Sequence, residues 1–319
     1  MTTTARLTER RQNLTPKQRA YVKSLDDIAR RLGHLDDQTV RRLVAHLQAV
    51  RKEIAASLVG IDPERFQAFQ LKALKSNLAD ILNRFEASLG AETRALFGQI
   101  YEAGGRMAID PLTAAGVEGV FFQPSTAQLN VILDFTADLI QDITGDMRGR
   151  IEAQVTRSLL GQQSPFKTMK SITDILGVKS RDGVWGRRRR PNVVKGVAAR
   201  AEAILRTETT RAANIAHHGQ QLLVAQQTPG LRKRWMATGD SRTRRSHLVA
   251  HAATFSDPIP IDEPFDVGGF KLMYPGDPAG PPGETINCRC RVVTVHPDIG
   301  PMETTTDTAL KAEVKKRRG

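Results

Sequence analysis

The chain has 319 residues, room for about two domains, and only 5% of them are aromatic. Its apolar residues are dominated by Ala, Leu, Val and Ile, which suits helix packing more than a β-sandwich. Lys and Arg number 47 against 34 Asp and Glu, a formal charge of +13; such a field favours nucleic acid, an anionic surface or an acidic protein as neighbour and is silent on fold.

The first residues, Met1-Thr2-Thr3-Thr4-Ala5-Arg6, lack the apolar core of a secretion signal. No run approaches the roughly 18 apolar residues of a membrane span. A soluble protein assembled in a cytoplasm, with no membrane partner, is the expectation. The two cysteines, Cys288 and Cys290, are too few and too close for a disulfide framework and are read as reduced.

From Thr15 the apolar residues fall at helical spacing. Tyr21, Leu25, Ile28 and Leu32 form one stripe, opened by Pro16 at N1 and closed by Gly33. Asp36 or Asp37 then caps a second helix bearing Val40, Leu43, Leu47, Val50, Ile54 and Leu58, which ends at Gly60-Ile61-Asp62-Pro63. A third carries Leu74, Leu78, Ile81, Leu82, Phe85 and Leu89; a fourth spans Ala91 to Met107 before Asp110-Pro111 breaks it. Val120-Phe121-Phe122 reads as a buried turn or brief strand. Ser125 is placed to cap a helix through Leu129, Ile132, Leu133, Leu139, Ile140 and Ile143, continuing with a bend at Gly145 or Gly149 to Leu159.

Helical periodicity fades between Pro165 and Pro191, where Arg187, Arg188, Arg189 and Arg190 form an unbroken run. No core could absorb that desolvation, so an exposed loop is predicted, with phosphate as its natural ligand. Arg232-Lys233-Arg234 and Lys315-Lys316-Arg317-Arg318 add further basic clusters. Val194 to Gln227 reads as one long helix ended by Thr228-Pro229-Gly230, after which the period changes. Arg234-Trp235-Met236, Phe270-Lys271-Leu272-Met273 and Arg291 to Val295 are strand candidates.

The fold class is therefore α+β and predominantly helical: an N-terminal helical bundle or hairpin array, and a small C-terminal α+β domain with short strands and Pro/Gly-rich loops. The expected divisions are a helical domain over 1–164, a basic linker over 165–191, the α+β domain over 192–297 and a mobile basic tail over 298–319, with a short helix from Thr308 to Lys316.

The chemistry-bearing residues gather late in the chain. Gly239-Asp240-Ser241 followed by Arg242 to His251 has the form of a turn and a helix capped by Asp240 or Ser241. His247 and His251 are four apart and would share a helix face. With Cys288 and Cys290 they make a candidate tetrahedral zinc site, although knuckle cysteines are usually two to four residues apart and here only Arg289 intervenes. The bland alternative packs small thiols under a hairpin and leaves His247 bonded to backbone. Arg242, Arg244, Glu208 and Glu284 are read as arginine–carboxylate pairs that pin loops to a helix. Asn287 is read as a turn or cap residue. The run Tyr274-Pro275-Gly276-Asp277-Pro278 onward to Glu284 has a path fixed by its prolines and glycines. No Gly-x-Ser-x-Gly elbow, phosphate-cradling glycine run or His-Glu-x-x-His pair is present.

Taken in order, Arg206-Thr207-Glu208, Trp235, Asp240, Arg242, Thr243, Arg244, His247, Pro275, Gly276, Asp277, Pro278, Glu284, Asn287, Cys288 and Cys290 resemble the phage Mu F-like head morphogenesis family, over about the last third to two fifths of the chain. His251 lies where relatives often carry a different polar residue. The resemblance implies a minor head (capsid) protein of a tailed bacteriophage or prophage, a virion component assembled in the host cytoplasm. Its implied partners are the portal and the major capsid protein, in head assembly and DNA packaging or delivery. It implies no catalytic residues and no required cofactor, with zinc left open. The basic residues add nonspecific contact with double-stranded DNA. Two rivals remain at the level of sequence. One is a zinc-dependent enzyme acting on nucleic acid through His247, His251, Cys288 and Cys290, with Glu208 or Glu284 as general base; the other is a host nucleic-acid-binding module.

Overall fold

The computed structural model describes residues 14–58, 68–160, 162–176 and 196–318. Among them the order is α1 (Pro16–Leu58), α2 (Ala68–Ala114), α3 (Thr126–Leu159), α4 (Pro165–Leu176), α5 (Gly196–Ala225), β1 (Arg232–Met236), α6 (Arg245–Ser256), β2 (Ile259–Pro260), β3 (Phe265–Val267), β4 (Phe270–Leu272), α7 (Pro282–Thr285), β5 (Arg291–Val295) and α8 (Thr305–Arg318). The expected class, α+β and mostly helical, is what the chain adopts.

The opening helix starts where Pro16 predicts. Thr15 and Gln18 exchange side-chain and backbone bonds across the first turn, 3.2 Å from the Gln18 amide to Thr15 Oγ1 and 3.0 Å from the Thr15 amide to Gln18 Oε1, a capping box. Gly33, however, ends nothing: α1 runs through it for 43 residues. Leu32 and Leu35 on either side are buried, and burying each stabilises by about 1.5–3 kcal/mol, more than the roughly 1 kcal/mol a helical glycine costs. The third and fourth expected helices are likewise one, α2, which holds Pro111 inside its last turn. There the proline removes a single internal bond, and the helix stops three residues later. Val120 is buried, but Phe121 is 72% exposed and the segment forms no strand. Ser125 caps α3 as expected, its hydroxyl accepting from the Gln128 amide at 3.3 Å.

The residues form two compact units: Met1–Asp36, Phe97–Ile132 and Arg206–Gly319 make one; Asp37–Leu96 and Leu133–Leu205 make the other. The second has helices and turns but no strand among its described residues. Its core takes Leu43, Leu47, Ile54, Leu78 and Leu82 from the predicted stripes, all fully buried, together with Met147, Ile151 and Val155 further along α3. Polar pairs tie the helices at their margins: Arg84 to Glu53 at 2.6 Å, Arg148 to Asn83 at 2.6 Å and Thr144 to Glu86 at 3.0 Å.

The first unit carries both sheets. One is antiparallel in the order β2-β1-β5, with Trp235 opposite Val292; the other is the β3-β4 hairpin. The hairpin turns on Gly268 and Gly269, φ 63° and 87°, the left-handed conformations a two-residue turn demands. Trp235, Phe265, Val267, Leu272, Val292 and both cysteines make a common core, joined by Leu310 of α8. Leu310, in the stretch expected as a mobile tail, thus belongs to that core. Asp307 of α8 forms two hydrogen bonds with Arg234 of β1, at 3.0 and 2.7 Å. Lys233 and Arg234, grouped above with the surface basic clusters, are both buried. Lys233 reaches the Met273 carbonyl at 2.9 Å and stands over the Phe265 ring.

Candidate functional site

The candidate site is assembled where α6, α7 and the lead into β5 meet. Between β1 and α6 the chain turns on Asp240, whose carboxylate accepts from the Arg242 amide at 3.0 Å and pairs with Arg242 and Arg289 at 3.0 and 2.8 Å. Burial opposes ionisation of Asp240, but the Arg289 and Arg242 bonds hold it down at about 2. Thr243 closes the same turn by donating to the Thr238 carbonyl. The helix then begins without the cap expected from Asp240 or Ser241: its N-cap is Arg244, with no side-chain bond. Arg244 instead donates to the Ile286 carbonyl, binding the start of α6 to the residues that precede the cysteines.

His247, on the buried face of α6, packs edge-on against Trp235 with ring centroids 5.1 Å apart. Its Nε2 lies 3.0 Å from Oε2 of Glu284, which also accepts from Ser246 at 2.8 Å. The opposite ring nitrogen, Nδ1, is 3.2 Å from Sγ of Cys290 and 3.7 Å from Sγ of Cys288. Among the described residues, these three form the one group whose nitrogen and sulfur atoms gather as metal ligands do, all within 4.8 Å and all buried. Burial opposes ionisation of Cys290, yet bonds from Cys288 and His247 carry its thiol well below the ordinary range. Cys288 is pushed well above that range by its bond to Cys290 and by burial.

His251 is not brought to this group. Its Nδ1 faces the Trp235 carbonyl at 3.1 Å, with Asp307 at 3.8 Å. One helical turn separates the two histidines, and the sulfurs sit over the first alone.

The remaining predicted residues have structural partners, often other than those expected. Glu208 is paired, but with Arg211, through both oxygens at 2.8 Å; burial raises its carboxyl against that pairing. Arg206 pairs with Asp36, and Thr207 accepts from the Asn287 amide at 2.9 Å. Asn287 does occupy a turn, at φ 56°. In the proline-rich loop, Asp277 accepts from the Met273 and Ala279 amides at 2.8 and 2.9 Å. Gly276, at φ 84°, accepts at its carbonyl oxygen from Arg211 Nε at 3.0 Å, and Pro278 lies in the turn beyond Asp277. Arg187 to Arg190 lie outside the described residues, and of Lys315 to Arg318 only the helical backbone is described.

Sequence reasoning missed Asn214. Its amide nitrogen donates to the Pro275 and Cys290 carbonyls at 2.9 and 3.0 Å, and its oxygen accepts from the Val292 amide at 3.0 Å. One side chain of α5 thereby fixes both the proline loop and the cysteine strand. The available signal was a polar stripe, Asn214, His217 and Gln221, at helical spacing in a helix otherwise rich in alanine.

Residues 149–293 match the family described as Phage Mu protein F like protein. A 113-residue stretch is 34% identical to the Mu-like prophage FluMu F protein of Haemophilus influenzae, covering 34% of this chain and 23% of that protein. The chain therefore spans about a quarter of the relative's length. No solved structure matches. No helix among the described residues is long and apolar enough to cross a membrane.

Proposed function

We propose, from the match of residues 149–293 to the family described as Phage Mu protein F like protein, that this chain is a minor head protein of a tailed phage or prophage, built into the head during assembly. The observation that carries the reading is the extent of the match, which encloses the whole His247–Cys288–Cys290 assembly and the helix that braces it. The order of motif residues noted in the sequence supports it as well. The side chains in that assembly are spent on one another: Glu208 on Arg211, Glu284 on His247 and Ser246, Asp240 on two arginines. Such a lattice favours a rigid docking module over a turnover site. The portal or the major capsid protein is the proposed partner, and the basic residues, Arg187 to Arg190 foremost, are proposed to meet packaged DNA through its phosphates without reading sequence.

Mixing the purified chain with the portal and the major capsid protein of the same prophage, with mass measured by light scattering, tests the reading. A complex of defined stoichiometry with either is expected. Free components with both overturn it.

A further inference from the structure

We propose that His247, Cys288 and Cys290 hold one zinc ion, with Glu284 as the residue that orients the histidine toward it. The inference stands on local geometry and does not depend on the head-protein reading.

The ring orientation is the first argument. Glu284 takes the Nε2 side of His247 at 3.0 Å, which leaves Nδ1 as the ring nitrogen that faces the sulfurs. A carboxylate behind a ligating imidazole is how metal-bound histidines are commonly oriented.

Distances give the second. Zinc bonds of about 2.0–2.1 Å to nitrogen and 2.3 Å to sulfur, at tetrahedral angles, place N and S about 3.6 Å apart. The two Nδ1···Sγ separations are 3.2 and 3.7 Å, within a few tenths of an ångström of that value, and all three atoms lie within 4.8 Å of one another. The donor chemistry is the third: one imidazole and two thiolates are soft N/S ligands that select zinc over magnesium or calcium. No fourth His, Cys, Asp or Glu among the described residues joins the group, leaving the last position to water. His251 is not that ligand, because its ring nitrogens do not gather with the other three atoms. The ion would tie the strand entering β5 to α6, linking elements 41 and 43 residues apart in sequence.

The test uses the full chain, purified from zinc-supplemented cells, then stripped and reloaded with cobalt(II). About one zinc per chain, and a cobalt spectrum with thiolate charge-transfer and intense tetrahedral d–d bands, are expected. His251→Ala should keep both signals, whereas Cys290→Ser should lose the charge-transfer intensity of one thiolate. Because a cysteine variant can fail to fold, Glu284→Gln provides a milder probe, expected to retain the metal with affinity lowered about 10–100-fold. Absence of zinc together with no cobalt band overturns the site. So does cobalt bound without thiolate bands, or a spectrum unchanged in a folded Cys290→Ser chain.

Discussion

Arg234 of β1 and Asp307 of α8 meet in a two-bond ion pair at side-chain exposures of 1% and 0%. The carboxylate also accepts from the amide and hydroxyl of Thr304 at 2.7 and 2.8 Å, so a single residue both caps α8 and holds it to the sheet. Removing it would strand a guanidinium in the core. Asp307→Ala is expected to destabilise by about 3–5 kcal/mol, measured by urea denaturation of the full chain. The double change Arg234→Met with Asp307→Leu should recover most of that loss, since a packed apolar pair needs no desolvation.

Acid sensitivity should begin with histidines rather than carboxylates. Burial, with His218 and Arg291 nearby, lowers His217 to about 3; burial and Lys233 lower His218 to about 4. Both are neutral in the fold and take up protons on unfolding, so stability is full above about 6.5 and falls as pH drops below it. The loss approaches 1.4 kcal/mol per pH unit for each histidine while pH stays between the folded and unfolded values. Asp307, held below its ordinary value against burial by Arg234 and Thr304, contributes only below about pH 4. Melting temperatures at pH 7, 6 and 5 should decline, and His217→Gln should flatten the decline.

Gly104 sets two principles against each other. Alanine is favoured over glycine within a helix by about 1 kcal/mol, but a Cβ at this position would lie 2.3 Å from the Ala213 carbonyl oxygen. That neighbour is backbone of α5 and cannot turn aside. Gly104→Ala is expected to destabilise by roughly 1–3 kcal/mol as an overpacked contact, whereas Gly98→Ala, with nothing within 4 Å, should be neutral or stabilising. Paired thermal melts of the two variants check the sign.

If the four arginines from Arg187 to Arg190 meet phosphate, replacing all with glutamine should weaken DNA binding equally across sequences. It should also reduce the slope of log affinity against log salt by up to about 3.6. Fluorescence anisotropy over a salt series reads both. An unchanged slope would remove these residues from the interface.

The sequence was most informative where periodicity was long or a β-rich run was short and bounded. β5 falls on Arg291–Val295 as read, and α5 occupies the expected helix. It was least informative where a local preference was outweighed by packing, as at Gly33 and Pro111. Lys233 and Arg234 show another limit. A basic triplet looks solvated until its counter-ion is known, and Asp307 lies 73 residues away. For the candidate site, His247 and the two cysteines were legible as a set, while the choice between Glu284 and His251 as the fourth participant depends on which way the imidazole faces. No spacing in one dimension reports that.

The single residue between the cysteines is short for a zinc knuckle, and the alternation of burial just ahead of β5 explains it. Cys288 and Cys290 are buried, while Arg289 between them is only half-buried and turns away to grip Asp240, the alternation that neighbours show in extended chain. An insertion of one residue at this point would therefore act as a frame error in space. It would drive a guanidinium toward the core, expose a thiol, and leave the Asp240 turn without its clasp, even though every original side chain were still present.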